Sequence, residues 1–330
     1  MPRIGITTTV PSEIIWAAGA VPVDLNNIFI TSKLRDKYIQ KAEYDGYPRN
    51  VCSWIKGIYG ALSEMNDIQT IVAVTQGDCS NTHALMETLA LIGIKTIPFA
   101  YPYDRNRKAL RREICSLAEK LGTDIGHAET FRKKIEPIRK QLDLLDAMTW
   151  NENRVTGAEN HLWLVSSSDF NSDYERFAHD LTTFIDEASK RKPISNVLRL
   201  GYIGVPPILD DLYDVANDFE AHFVFNEIQR QFSMINRDGD IVDQYHSYTY
   251  PYDIFNRIKY IQREINRRRI HGIVHYVQSF CHRHIEDLVV RKKISVPILT
   301  IEGEAPGKVD ERTKIRLQAF IEMLERHQNM

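Results

Sequence analysis

The segments IQTIVAVTQGDC, Ile68 to Cys79, and IHGIVHYVQSFC, Ile270 to Cys281, lie over one another without a gap. The match continues past the cysteines, where NTHALMETLALIGIKTIPFAYP in the first copy parallels HRHIEDLVVRKKISVPILTIEG in the second. Each copy reads as a buried apolar strand, a short polar turn ending in Cys, an amphipathic helix, a basic turn and a second apolar strand opened by Pro98 or Pro297. That is a β-α-β unit used twice. Its cysteine falls where an open α/β sheet binds ligands, at the carboxyl end of a strand and the start of the following helix. The helix dipole and the unpaired N–H groups there lower a thiol's pKa, and the thiolate is the form that binds a metal.

The duplication reaches upstream. RIGITTTVPSEIIWAAGAVPVDLNN, from Arg3, and LRLGYIGVPPILDDLYDVANDFEAHFVFNE, from Leu198, both read strand, Pro-containing turn, helix, strand. One further helix per half is expected before the Cys unit, NVCSWIKGIYGALSEM in the first and YDIFNRIKYIQREINRRR in the second. Cys52 falls opposite Ile254 at the shared offset, so one half offers two cysteines and the other one. The economical expectation is a single site served by both halves.

From about Tyr103 to Arg191 the pattern turns to long charged helices with apolar stripes, RNRKALRREICSLAEKLG, AETFRKKIEPIRKQLDLLDAMTW and NSDYERFAHDLTTFIDEASKR, and RKPISN at Arg191 to Asn196 reads as a return link. DERTKIRLQAFIEMLERHQ, from Asp310, reads as a final amphipathic helix. The fold class expected is α/β: two similar open-sheet domains from an internal duplication, joined by a helical insertion. Residues 1–102 form the first domain with Cys52 and Cys79, residues 103–194 the insertion and linker, and residues 195–330 the second domain with Cys281 and the C-terminal helix.

Composition narrows the function classes. A chain of 330 residues with 43% hydrophobic content and a formal charge of −2 describes a soluble protein with room for two cores and no footprint for duplex nucleic acid. No apolar run is long enough to span a bilayer, and the chain enters its first strand without a signal-like segment, so a cytoplasmic protein is expected. With four cysteines and no export signal, disulfides are not expected.

Taken together, VPSEIIWAAGAVPV at Val10 to Val23, RNVCSWIKG around Cys52, the GDC of Cys79, the Cys281 unit ending SVPILTIEGE, and the closing RTKIRLQAFIEML make the chain similar to the 2-hydroxyacyl-CoA dehydratase D-component family. That family is related to benzoyl-CoA reductase subunits and double-cubane cluster proteins. The resemblance implies a [4Fe–4S] cluster held by Cys52, Cys79 and Cys281, with one iron left for a non-cysteine ligand or substrate. It implies two related α/β domains and a separate ATP-hydrolysing activator that delivers one low-potential electron, so that a CoA thioester becomes a ketyl radical and expels its 2-hydroxyl. A second dehydratase-type subunit, identical or homologous, is implied as partner. Relatives reduce aromatic rings or small non-CoA molecules, so an ATP-coupled small-molecule reductase and a non-catalytic cluster or electron carrier stand as alternatives. FNEIQRQFSM at Phe225 to Met234 and HSYTYPYD at His246 to Asp253 match no substrate residues of the family, and three cysteines are too few for a double cubane within one chain.

Other residues carry weaker signals. Zinc is the competing metal, through the same three cysteines and His83, His282 or His284, although their dispersed spacing is unlike a zinc knuckle. Cys115, within a helix, reads as an apolar filler. Glu302, Glu304 and Asp78, beside Cys79, are the candidate proton carriers, and the plain reading of each is a solvated loop carboxylate or a helix cap; His83, one turn into its helix, is a further catalytic candidate that would line a pocket. Tyr245 to Tyr252 would line a pocket or simply pack. Arg267 to Arg269 would complement a helix dipole or meet CoA phosphates. GEAPGK at Gly303 to Lys308 lacks the spacing and the Ser or Thr of a phosphate loop, and no GxGxxG is present, so ATP and nicotinamide are not expected to bind directly.

Overall fold

The computed structural model describes residues 1–195 and 198–328. The return link read from the sequence ends on Asn196, outside the described residues. Two compact units emerge. The first comprises Met1–Lys140, Ser166–His179 and Phe232–Asp253, and the second Gln141–Val165, Asp180–Gln231 and Ile254–Met330.

Each unit is built on a four-stranded, wholly parallel sheet. In the first unit the strands are β1 (Arg3–Ile6), β2 (Val21–Asp24), β3 (Ile68–Gln76) and β4 (Lys95–Ala100), in the order β2-β1-β3-β4. In the second they are β5 (Leu198–Gly204), β6 (Ala221–Asn226), β7 (Gly272–Gln278) and β8 (Ile298–Gly303), in the order β6-β5-β7-β8. The two orders are the same, which makes the duplication a property of the fold as well as of the sequence. Parallel strands joined by helical crossovers are covered on both faces and therefore read as unbroken apolar runs. Every residue of β7 is buried, as are Ile71, Val72, Ala73 and Val74 at the centre of β3.

Around the first sheet the helices Ser12–Ala17, Ser53–Glu64 and Thr82–Leu91 fall where the periodicity predicts them. Two more, Leu25–Thr31 and Arg35–Tyr44, precede the Cys52 helix, as Glu227–Phe232 and Ile241–Ser247 precede Ile254–Arg268 in the second half. Arg35–Tyr44 is mostly polar and buries only Tyr38 and Ala42, too thin a stripe to register as an amphipathic pattern. The Cys52 helix reaches it through Gly60, where an added Cβ would stand 2.0 Å from the Tyr38 carbonyl oxygen. Between β4 and β5 run Arg107–Lys120, Ile125–Trp150 with Pro137 inside it, Gly157–Val165 and Tyr174–Ser189, and the chain closes on Glu311–Gln328. Among the described residues no helix is long and apolar enough to cross a membrane.

Each unit also buries charge. In the first, Glu13 is fully buried and accepts from Arg139 at 2.7 Å and Gln244 at 2.8 Å, with the Tyr245 hydroxyl 2.7 Å away. In the second, Asp146 accepts from Arg268 at 2.5 and 3.0 Å and from Arg230 at 2.8 Å, while Arg268 also donates to Glu264 at 2.8 Å. Arg268 is completely buried, so the middle residue of the Arg267 to Arg269 run is a core ion-pair partner. It is neither a solvated cation nor a docking residue.

Candidate metal centre at the strand ends

Each of the three cysteines stands directly before a helical turn whose first N–H bond its carbonyl accepts. Cys52 is buried at the N-cap of Ser53–Glu64 and accepts from Lys56 at 3.2 Å. Cys79 is half-buried, follows the end of β3, and accepts from Thr82 at 3.1 Å where Thr82–Leu91 begins. Cys281 is half-buried, follows the end of β7, and accepts from His284 at 3.0 Å where the 3₁₀ turn His282–Glu286 begins. Cys79 and Cys281 thus hold equivalent stations in their units. Both turns need a left-handed backbone, supplied by Gly77 (φ 100°) before Cys79 and by Phe280 (φ 63°) before Cys281. A non-glycine residue in that region carries strain, and such strain is characteristic of turns that hold a functional group in place.

The sheet order explains why these stations face a crevice. From β1 the chain steps out to β2 and then crosses back to β3 on the other side of β1, so the connections diverge between β1 and β3, and likewise between β5 and β7. In the second unit a small pocket marks this switch point, lined by Gly204 and Val205 from the end of β5, by His275 and Gln278 of β7, and by Cys281. Arg257, Arg283 and Glu286 close its wall.

In the first unit the same carboxyl edge is covered by tyrosines. Tyr101 donates to the Thr9 carbonyl at 2.9 Å, and Tyr245 lies 3.0 Å from the Val10 carbonyl oxygen. Tyr250 donates to Asp78 at 3.0 Å, one residue before Cys79, and an added Cβ on Gly77 would stand 2.8 Å from Pro251. Burial, and then the neighbouring Glu13, push the Tyr245 hydroxyl well above its ordinary range, so it stays protonated and donates. The stretch from Tyr245 to Tyr252 is therefore packing, with the hydroxyls of Tyr245, Tyr250 and Tyr252 hydrogen-bonded, and Tyr250 ties it to the turn that carries Cys79.

The remaining sequence candidates sit nearer water. Glu302, at the end of β8, is exposed and accepts a 2.7 Å bond from Ser279, two residues before Cys281. Glu304 is exposed, and its backbone carbonyl accepts from Gln278 at 2.9 Å. His83 is exposed in the first turn of Thr82–Leu91, and His282 and His284 are exposed in the turn after Cys281. Cys115 is half-buried in Arg107–Lys120. Among the described residues no three His, Cys, Asp or Glu side chains are gathered closely enough to hold a metal ion. Sequence reasoning passed over Glu13, Glu227 and Arg257. The signal available for Glu13 was its place in VPSEII at the carboxyl edge of β1, and for Glu227 its place just after β6.

As donors, the cysteines suit an iron–sulfur cluster: three thiols at helix starts, at or near the ligand edge of a parallel sheet, two of them accessible in part. Two like α/β units, each on a four-stranded parallel sheet with the same strand order, define the fold class. The sequence profile described as 2-hydroxyglutaryl-CoA dehydratase, D-component, matches residues 7–324. The chain therefore belongs to the 2-hydroxyglutaryl-CoA dehydratase D-component family, as a dehydratase-type subunit. Among curated proteins no match is found.

Proposed function

We propose that this chain is the iron–sulfur catalytic subunit of an activator-dependent 2-hydroxyacyl-CoA dehydratase, or of a closely related CoA-thioester reductase. The observation that carries the reading is the family match across residues 7–324, which takes in both halves of the duplication and all three strand-end or helix-cap cysteines. Cys52, Cys79 and Cys281 would hold a [4Fe–4S] cluster. When bound, that group supplies one-electron chemistry at low potential to the thioester of a CoA substrate.

The protein's own share of the reaction lies in binding, ordering and proton movement. Cys52 and Cys79 would supply thiolates from the starts of α-helices, where the dipole favours the anion, and Cys281 from the start of a 3₁₀ turn. Loss of water from a 2-hydroxyacyl group removes the hydroxyl and a proton from the neighbouring carbon, so a base and an acid are required beside the substrate. Of Glu302, Glu304 and His83, Glu302 has the best support as the proton carrier. It reaches water, and its hydrogen bond from Ser279 ties it to the turn that carries Cys281. The ATP-hydrolysing activator and a second dehydratase-type subunit would be separate polypeptides, and the assembly would work in the cytoplasm without membrane or nucleic acid.

The test is turnover under anaerobic conditions. Purified chain with its co-purifying subunit, given a separately prepared activator with ATP or a strong artificial reductant, is expected to convert a 2-hydroxyacyl-CoA into the 2-enoyl-CoA and water. Without either, it is expected to turn over nothing and to hydrolyse no ATP. ATPase activity that follows this polypeptide through purification would contradict the assignment, as would turnover that needs no electron donor.

A further inference from the structure

Arg257, Arg283 and Glu286, in the wall of the second unit's pocket, belong to one ion network. Arg257, on the helix Ile254–Arg268, is buried. Its guanidinium grips Glu227 with two parallel bonds, Nε to Oε1 at 2.8 Å and Nη2 to Oε2 at 2.9 Å, and reaches Glu286 with Nη1 at 2.7 Å. Glu227 opens the helix after β6 and also accepts the Gly204 N–H at 3.2 Å, at the end of β5. Glu286 is the last residue of the turn that starts at Cys281, and it accepts from Arg283 in the same turn at 3.1 Å. One side chain therefore ties β5, the β6 helix and the Cys281 turn together. The end of β5, Arg257 and the Cys281 turn line the pocket, and Glu227 pairs with Arg257 from outside the lining.

We propose that Arg257, acting through Glu286, is a positioning residue for Cys281: it locks the Cys281 turn against the ends of β5 and β6 and balances the buried Glu227 and the half-buried Glu286. This rests on the reading of Cys281 as a cluster ligand. The case for a role beyond packing is the geometry. A guanidinium gripping one carboxylate with two parallel bonds is rigid as well as strong, and the third bond carries that rigidity into a turn that directly follows the left-handed Phe280. The turn has no regular helix of its own until Asp287–Lys293, so its shape depends on such ties. Two guanidiniums against two carboxylates also leave this network near neutral. An uncompensated charge there would act on the cluster's potential.

The experiment uses the full chain, anaerobically loaded with iron and sulfide, in Glu286→Gln and Arg257→Lys forms. Glu286→Gln keeps the Glu227 grip and the side-chain volume and cuts the charged link to the Cys281 turn, so it remains informative if Arg257→Lys fails to fold. The readouts are far-UV circular dichroism, the rate at which a chelator strips iron, and the midpoint potential with the reduced-state EPR spectrum. Loss of a partner outside the ligand set weakens metal sites by about 10-fold or more. Glu286→Gln is therefore expected to fold normally, load iron, and release it to chelator about tenfold faster. Its midpoint should move to a more positive potential, because the unbalanced cation favours the reduced cluster. Folded, loaded Glu286→Gln with wild-type release rate and potential would overturn the proposal. Cys281→Ala measured in parallel separates the two claims: full iron in that variant would overturn the ligand reading itself.

Discussion

Replacing Cys79 or Cys281 by Ala is expected to remove most of the iron from anaerobically purified protein, and Cys52→Ala to do the same, while Cys115→Ala keeps the wild-type content. Three thiolates leave a cubane one corner short of full cysteine ligation, so losing another removes a third of the protein's hold on it. Cys79 and Cys281 follow the central strands β3 and β7 at equivalent stations, and both are half-buried, so truncation to Ala removes a thiol without opening a core. The far-UV spectrum should therefore remain unchanged in those two variants. Cys52 is buried in the cluster of Ile55, Tyr59 and Leu62, so its variant is also expected to melt somewhat earlier. Iron analysis of the four variants checks the set, and full occupancy in Cys79→Ala would remove the ligand assignment.

The second large effect concerns stability rather than chemistry. Asp146 is buried between Arg268 and Arg230, and Asp146→Asn leaves two buried guanidiniums short of their counter-charge. Breaking a buried ion pair from one side costs about 3–5 kcal/mol, so the variant should show an early melt in the second unit while Arg191→Ala, at a half-exposed pair with Glu159, barely moves it. Burial raises the Asp146 pKa, but Arg268 and Arg230 outweigh it and hold the carboxyl at about 2. An acid whose folded pKa is depressed contributes stability that is complete above its unfolded value, near 3.8, and lost as the pH falls through the folded one. Acid unfolding of the wild type should therefore steepen between about pH 4 and pH 2, and thermal melts across that window should show the slope reduced in Asp146→Asn.

How much of this was written in the sequence depends on how local the cause is. The two parallel sheets were legible because buried strands are bare apolar runs, and IVAV in β3 and IVHYV in β7 announce themselves without reference to anything else. The cysteines were legible for a related reason: a turn residue between a strand and a helix has a place fixed by its neighbours. The helix Arg35–Tyr44 was not, since two buried side chains leave almost no stripe. Nor were the buried charges. Arg257, Arg268 and Glu264 lie on a strongly amphipathic helix whose polar residues read as a solvated face, and only their partners from β6, Glu227 and Asp146 make burial tolerable. For the stretch from Tyr245 to Tyr252 the sequence left pocket and packing both open. The hydroxyl partners of Tyr245 and Tyr250 (Val10, Glu13 and Asp78) come from the first hundred residues, and no local window holds both ends of such a bond.

The central claim is that these cysteines hold an iron–sulfur cluster, and the most direct measurement is metal and acid-labile sulfide analysis of the wild-type chain purified without oxygen. The account predicts a brown protein with about four iron and four sulfide per chain and an EPR signal on reduction that changes when a 2-hydroxyacyl-CoA is added. A colourless protein with about one zinc and no sulfide would contradict it.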